Sequence, residues 1–147
     1  MPLLVRGPGV PRGASRSKMV LNNDLAPTFA DLAGVTQPSF VDGRSLGPLL
    51  SASPPASWRS TFLVEHRRSA YEAPFARLVP NYDAVRTTDH LYVEYESGAR
   101  ELYDLGSDPY ELRSRHRSAG TDLKRRLGGR LDALRGCAAD GCRGAEN

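Results

Sequence analysis

Leu91, Val93 and Tyr95 alternate with Tyr92 and Glu94 along L-Y-V-E-Y, a period of two that predicts a strand with one apolar face. Comparable short runs occur at Thr61 to His66 (T-F-L-V-E-H), Tyr82 to Thr87 and Arg100 to Tyr103. T-D-H and E-S-G-A separate the later runs, and a polar loop carrying Pro74 and Pro80 separates the first two. This spacing predicts an antiparallel meander. Upstream the period changes. In N-N-D-L-A-P-T-F-A-D-L-A-G-V (22 to 35), Leu25, Phe29 and Leu32 recur at helical spacing. Asp24 suits the N-cap, Pro27 the first turn and Gly34 the stop. S-L-G-P-L-L (45 to 50) predicts a short helical turn, and S-A-S-P-P-A-S (51 to 57) a connector. The chain opens with a short apolar strand, Pro2 to Arg6, followed by a turn-rich loop from Gly7 to Gly13. Beyond Pro109 the pattern is again helical, with Leu123, Leu127, Leu131 and Leu134 on one face of a C-terminal helix. Gly128 and Gly129 weaken that helix by about 1 kcal/mol each.

The 147 residues match one ordinary domain that buries roughly two-thirds of its unfolded surface. An apolar content of 39% with 25% charged residues is that of a globular chain, not a disordered one. Of the 20 basic residues only Lys18 and Lys124 are lysines, and the arginines are densest from Arg113 to Arg135. No aromatic residue interleaves with that run, so it reads as a solvated helix face and nucleic-acid binding is not expected. The opening apolar run is too short for a signal peptide, and no stretch approaches the ~20 apolar residues of a membrane span. The two cysteines, Cys137 and Cys142, stand in C-A-A-D-G-C. Zinc wants four ligands and no second pair exists, so a local disulfide is preferred over a metal site, which points to an oxidising compartment.

Candidate chemistry is sparse. No G-x-S-x-G marks a nucleophile, no paired histidines seat a metal, and His66, His90 and His116 lie in unrelated contexts. Asp104 and Asp108 could pair as a metal or acid–base site, but the favoured expectation is that Asp104 ends a strand and Asp108 caps a helix begun by Pro109. Gly7, Gly9 and Gly13 do not form a dinucleotide loop, because prolines intervene and no helix opens after them. His66 closes an apolar strand between Glu65 and the pair Arg67–Arg68, where it either satisfies local polar groups or faces an anionic ligand. Arg86, inside A-V-R-T, needs a carboxylate partner or an interface. These residues do not make up a complete active site.

Four stretches in order resemble the C-terminal portion of the sulfatase family: P-L-L-V-R-G-P-G (2 to 9), N-N-D-L-A-P-T-F-A-D-L-A-G-V (22 to 35), D-G-R-S-L-G-P-L-L (42 to 50) and E-L-Y-D-L-G-S-D-P-Y-E-L (101 to 112). S-K-M-V-L-N-N-D-L-A-P-T, W-R-S-T-F-L-V-E-H and L-D-A-L-R-G-C-A-A-D-G-C-R look most similar to the N-acetylglucosamine-6-sulfatases, whose tail disulfide the two cysteines fit. The resemblance implies an α/β fold, or α+β for these residues alone. Residues 1–57 would be the end of an alkaline-phosphatase-like sulfatase sheet with its loop and helices. Residues 58–147 would be a small antiparallel β-sheet subdomain with a C-terminal helix. It also implies sulfate-ester hydrolysis by a formylglycine made from the cysteine of a C-x-P-S-R-type motif, beside a calcium ion. There the aldehyde hydrate is the nucleophile and the cation stabilises the transferring group. Cys137 and Cys142 lack the arginine four positions on, and the metal-binding carboxylates of the family lie upstream of P-L-L-V-R-G-P-G. R-S-R-H (113 to 116) stands where the family commonly has an asparagine-rich turn.

The expectation is therefore a C-terminal fragment of a sulfatase acting on the 6-sulfate of N-acetylglucosamine in sulfated glycans, inactive without the missing N-terminal catalytic half. No catalytic residue, metal ligand or cofactor is assigned to these residues. Glu65, His66 and Arg86 are expected at the substrate rim. The implied setting is secreted, extracytoplasmic or lysosomal. The competing expectations are a fragment of a related phosphonate or phosphodiester hydrolase, and a non-catalytic module that binds sulfated sugars.

Overall fold

A computed structural model describes residues 3–68 and 78–147 and resolves the chain into two compact units. The first runs to Arg59 and takes back Ala138–Ala145 and Asn147, while the second comprises Ser60–Cys137 with Glu146. The expected loop position Pro74 lies outside the described residues.

In the first unit a 3-10 turn at Asn22–Asp24 leads into α1 (Leu25–Leu32), and α2 (Gly47–Leu50) follows. Thr28 joins the helical segments: its hydroxyl donates to the Asp24 carbonyl at 2.6 Å and accepts the Leu46 N–H at 2.8 Å. Gly34 ends α1 at φ 68, a left-handed conformation suited to glycine. At Gly43 a Cβ would stand 2.2 Å from the Asn23 carbonyl oxygen, so only glycine lets the two backbones pass. The returning segment carries α4 (Asp140–Ala145), whose Arg143 donates to the carbonyls of Val41 and Gly43 at 2.9 and 3.1 Å. Arg44 donates back to the Arg143 carbonyl at 2.9 Å.

The second unit is a four-stranded antiparallel meander, β1 (Thr61–His66), β2 (Tyr82–Thr87), β3 (His90–Tyr95) and β4 (Arg100–Asp104), in the order β1-β2-β3-β4. The register pairs Val64 with Ala84 and Ala84 with Val93, so alternate residues define two faces. One face buries Val85, Tyr92 and Leu102 together with Leu127, Leu131 and Leu134 of α3 (Thr121–Arg135), which packs over β1 and β2. Beyond β4, the Leu102 N–H donates to Ser114 Oγ at 3.1 Å and the Arg115 N–H to the Leu102 carbonyl at 2.7 Å. R-S-R-H therefore covers part of an edge that would otherwise expose ladder groups.

Three expectations need correction. Leu3 to Arg6 pairs with no strand among the described residues, and Leu4 is 93% exposed. Leu25, Phe29 and Leu32 are exposed, since the hydrogen bonds of Thr28 turn the Pro27–Thr28 side of α1 inward. The chain after Pro109 stays in turns until Thr121; Asp108 caps no helix but accepts the N–H groups of Leu112 and Arg113 at 3.1 and 2.8 Å. No helix among the described residues is long and apolar enough to cross a membrane.

Candidate binding groove on the open sheet face

The sheet face turned away from α3 carries a cavity of about 470 Å³. Alternation places Phe62 and Val64 of β1, Ala84 of β2 and Leu91 and Val93 of β3 on its floor. Tyr82, Tyr95 and Tyr103 stand around that floor, with Tyr82 edge-on to Tyr95 at 5.6 Å. The Tyr95 hydroxyl donates to Glu101 Oε2 at 3.0 Å. Burial and hydrogen bonding to the Glu101 carboxylate push the phenols of Tyr95 and Tyr103 up to about 12, so both remain donors at any physiological pH.

Arg86 is the one cation lining this groove among the described residues, and its Nη1 donates to Glu111 Oε1 at 2.7 Å. The carboxylate partner demanded by an arginine inside an apolar strand is thus present. Glu111 sits at φ 57, an uncommon conformation for a non-glycine residue that costs of order 1 kcal/mol. Two carboxylates against one guanidinium, with three phenols, form a surface suited to hydroxyl-rich ligands.

Of the expected rim residues, the structure places His66 and Arg86 on this face and Glu65 on the other. The His66 ring stacks on Tyr82 at 5.5 Å, and its buried Nε2 has no hydrogen-bond partner among the described residues. Glu65 shares Arg67 with Asp83, at 3.2 and 2.6 Å. Asp83 and Glu94 in turn accept from Arg135 of α3 at 2.8 and 3.0 Å. Burial opposes ionisation of Glu94, but hydrogen bonds from Tyr92 and Arg135 and the charges of Arg100 and Arg135 outweigh it and hold the carboxyl below its usual range. Burial and that same carboxylate push Tyr92 up to about 12.

Asp104 ends β4, and its Oδ1 accepts the N–H groups of Gly106 and Ser107 at 3.1 and 3.2 Å. The bonds from Ser107, reinforced by Gly106, lower its pKa, so the residue holds a turn. Cys137 and Cys142, the only cysteines, are disulfide-bonded, which overturns the zinc alternative. The residues present fit neither of the implied catalytic groups: a cysteine locked in a disulfide cannot become formylglycine, and among the described residues no three His, Cys, Asp or Glu side chains converge to hold a cation.

Two features escaped sequence reasoning. Asp24 is fully buried in a bidentate ion pair with Arg59, at 2.5 and 2.8 Å, and also accepts the Leu21 and Arg44 N–H groups at 2.8 and 3.1 Å. A helix-cap signal at Asp24 was visible, but nothing local linked it to a residue 35 positions away. The groove carboxylate Glu111 was equally hidden, because neither glycine nor asparagine marks its left-handed backbone.

Residues 1–136 match the family described as N-sulphoglucosamine sulphohydrolase, C-terminal. The chain is 36% identical over 119 residues to an N-acetylglucosamine-6-O-sulfatase of Bacteroides thetaiotaomicron, a match covering 76% of this chain and 20% of the relative. It is 31% identical over 170 aligned positions to the N-acetylglucosamine-6-sulfatase of Capra hircus, covering 97% of this chain and 30% of that protein. A solved structure of a protein in complex with its substrate D-glucosamine-2-N,6-O-disulfate superposes with a TM-score of 0.64 at 29% identity, covering 74% of this chain and 22% of that one. The small antiparallel sheet with its C-terminal helix is therefore that of the C-terminal part of an alkaline-phosphatase-like sulfatase. The chain belongs to the N-sulphoglucosamine sulphohydrolase C-terminal family and is related to the N-acetylglucosamine-6-sulfatases. It spans about a fifth to a third of the length of the curated relatives it matches.

Proposed function

We propose that these residues serve as the C-terminal portion of a sulfatase that hydrolyses the 6-sulfate ester of N-acetylglucosamine in sulfated glycans. The observation that carries this reading is the likeness to N-acetylglucosamine-6-sulfatases, which extends over 97% of the chain at 31% identity. Formylglycine and calcium would come from residues other than these, since both cysteines here are committed to a disulfide. That bridge also supports an oxidising compartment as the place of action.

The part assigned to this chain is to finish the fold and contribute to the substrate rim. On the open face, phenol donors and the carboxylates Glu101 and Glu111 would meet sugar hydroxyls, with His66 and Arg86 at the rim. Glu65 lies on the opposite face and would act as a positioning residue through Arg67.

Two measurements test the reading. The 147-residue polypeptide is expected to release no sulfate from an aryl sulfate, whereas a longer protein containing these residues hydrolyses N-acetylglucosamine 6-sulfate. Turnover by the 147 residues alone, or none by the longer protein, would overturn it. In the longer protein, His66→Ala and Arg86→Ala are expected to raise KM more than they lower kcat. Unchanged kinetics in both variants would remove the rim assignment.

A further inference from the structure

The basic residues of the second unit do not spread evenly. From Leu112 to Leu131 the chain carries Arg113, Arg115, Arg117, Lys124, Arg125, Arg126 and Arg130 against a single carboxylate, Asp122. The fold then draws the loop and helix portions of this run together. Lys124, in the first turn of α3, donates to the His116 carbonyl at 3.4 Å, which sets the first turn of the helix beside the loop 113–117. Arg113 and Arg117 are exposed, and their guanidinium groups form no ion pair among the described residues. Fewer carboxylates reach the cluster than it has cations: Asp108 accepts the Arg113 backbone N–H at 2.8 Å, Asp104 meets Arg115 at 3.5 Å, Asp122 pairs with Arg125, and Glu94 takes the neighbouring Arg100 at 3.2 Å.

His116 stands within this cluster, its ring 6.1 Å from that of Tyr92, and reports the local field. Burial and then the charges of Lys124 and Arg100 hold its pKa below the usual histidine value, and only Glu94 opposes them. The imidazole is thus pushed toward neutrality first by burial and then by cations from α3 and β4. Such a surface favours a ligand bearing several anions in a row over a single anion. Guanidinium groups also suit the planar, two-oxygen recognition that sulfate and carboxylate share.

We infer that the loop 113–117 and the first turn of α3 form an accessory binding surface for a sulfated polysaccharide chain, separate from the groove on the opposite sheet face. The choice of polysaccharide over nucleic acid follows from the absence of Phe, Trp or Tyr from residue 112 to 135, so that the run of arginines carries none of the interleaved aromatic rings on which bases stack. It also rests on the reading of the chain as part of an enzyme for sulfated glycans. An accessory surface of this kind holds the polymer near the protein between hydrolytic events.

The test uses the 147-residue chain and a fluorescent heparin decasaccharide, followed by anisotropy across a salt series. Two double variants remove the same charge, Arg113→Gln with Arg117→Gln on the proposed surface and Arg6→Gln with Arg12→Gln on the N-terminal loop. By analogy with counterion release from phosphates, the first pair is expected to weaken binding about tenfold or more near 0.1 M salt and to flatten the salt slope by about 1–2. The second pair is expected to change affinity less than about twofold. The fully desulfated decasaccharide and a single-stranded DNA of equal charge should both bind more weakly. Equal weakening by the two pairs, or DNA binding as tight as heparin, would overturn the inference. A circular dichroism melt of each variant establishes that the fold is retained. Sulfate release by the longer protein is measured independently, so failure of the hydrolytic reading and failure of this surface give different results.

Discussion

Arg59→Met is the perturbation on which the structure makes its strongest statement. The methionine keeps an unbranched apolar stem while removing the guanidinium that holds both oxygens of Asp24. Neither side chain of the pair is exposed at all, so solvent offers no substitute. Among the described residues, Asp24 would retain the Leu21 and Arg44 N–H groups. Removing one member of a buried ion pair costs about 3–5 kcal/mol, because the other charge is left uncompensated. With a urea dependence near 2 kcal/mol/M, the midpoint should fall by roughly 2 M. The assay is built into the chain. Trp58 is its single tryptophan, donates Nε1–H to the Met19 carbonyl at 2.8 Å and lies 5.4 Å from the Arg44 guanidinium carbon. Its fluorescence therefore reports the first unit specifically. Asp24→Asn combined with Arg59→Met removes the stranded charge and should be less destabilising than Arg59→Met alone. A loss below about 1 kcal/mol for Arg59→Met, or single costs that merely add in the double variant, would refute the reasoning.

Two further outcomes follow from the second unit. Gly128→Ala and Gly129→Ala should each stabilise by about 1 kcal/mol, because both sit inside α3 and a Cβ at either meets nothing within 4 Å. A melting temperature that stays the same or falls would show that the helix needs flexibility there. Stability should also depend on pH through His116, whose pKa is lower in the folded chain than in the unfolded one. The unfolded state then binds the proton more readily, so the contribution is complete above about 6.5 and is lost as pH falls through the folded value. A thermal-melt series from pH 8 to 5 should decline less steeply for His116→Gln than for the wild type; parallel curves would contradict the assigned field.

The meander was legible because a period of two is a local signal: β1 and β2 fall where alternation puts them, and β3 and β4 differ only by taking in His90 and Asp104. The leucine face of α3 was legible for the same reason, with Leu127, Leu131 and Leu134 all buried. Apolar spacing in α1, in contrast, identified an apolar side without revealing whether anything covers it. Phe29 and Leu32 remain 65% and 69% exposed. Tyr110 to Gly120 escaped because its conformation depends on Asp108 gathering the Leu112 and Arg113 N–H groups and on the Leu102 carbonyl taking that of Arg115, a competition with helix that propensity does not resolve. α4 escaped because D-G-C-R-G-A is short and rich in glycine, with no periodic stripe. In the groove, Arg86 was recognisable as a charge needing a partner, whereas Glu111 depended on a tertiary turn.

The return of Ala138–Ala145 to the first unit has a consequence for synthesis of the chain. After Arg59 leaves the ribosome, roughly 80 residues must follow before that segment exists, a wait of about 4–16 s at 5–20 residues per second. Until then the carbonyls of Val41 and Gly43 have no Arg143 to bind, while the meander already has all of its strands. The first unit is therefore completed later than the meander, and a stop codon shortly after Cys137 would harm that unit more than the residues just before the break.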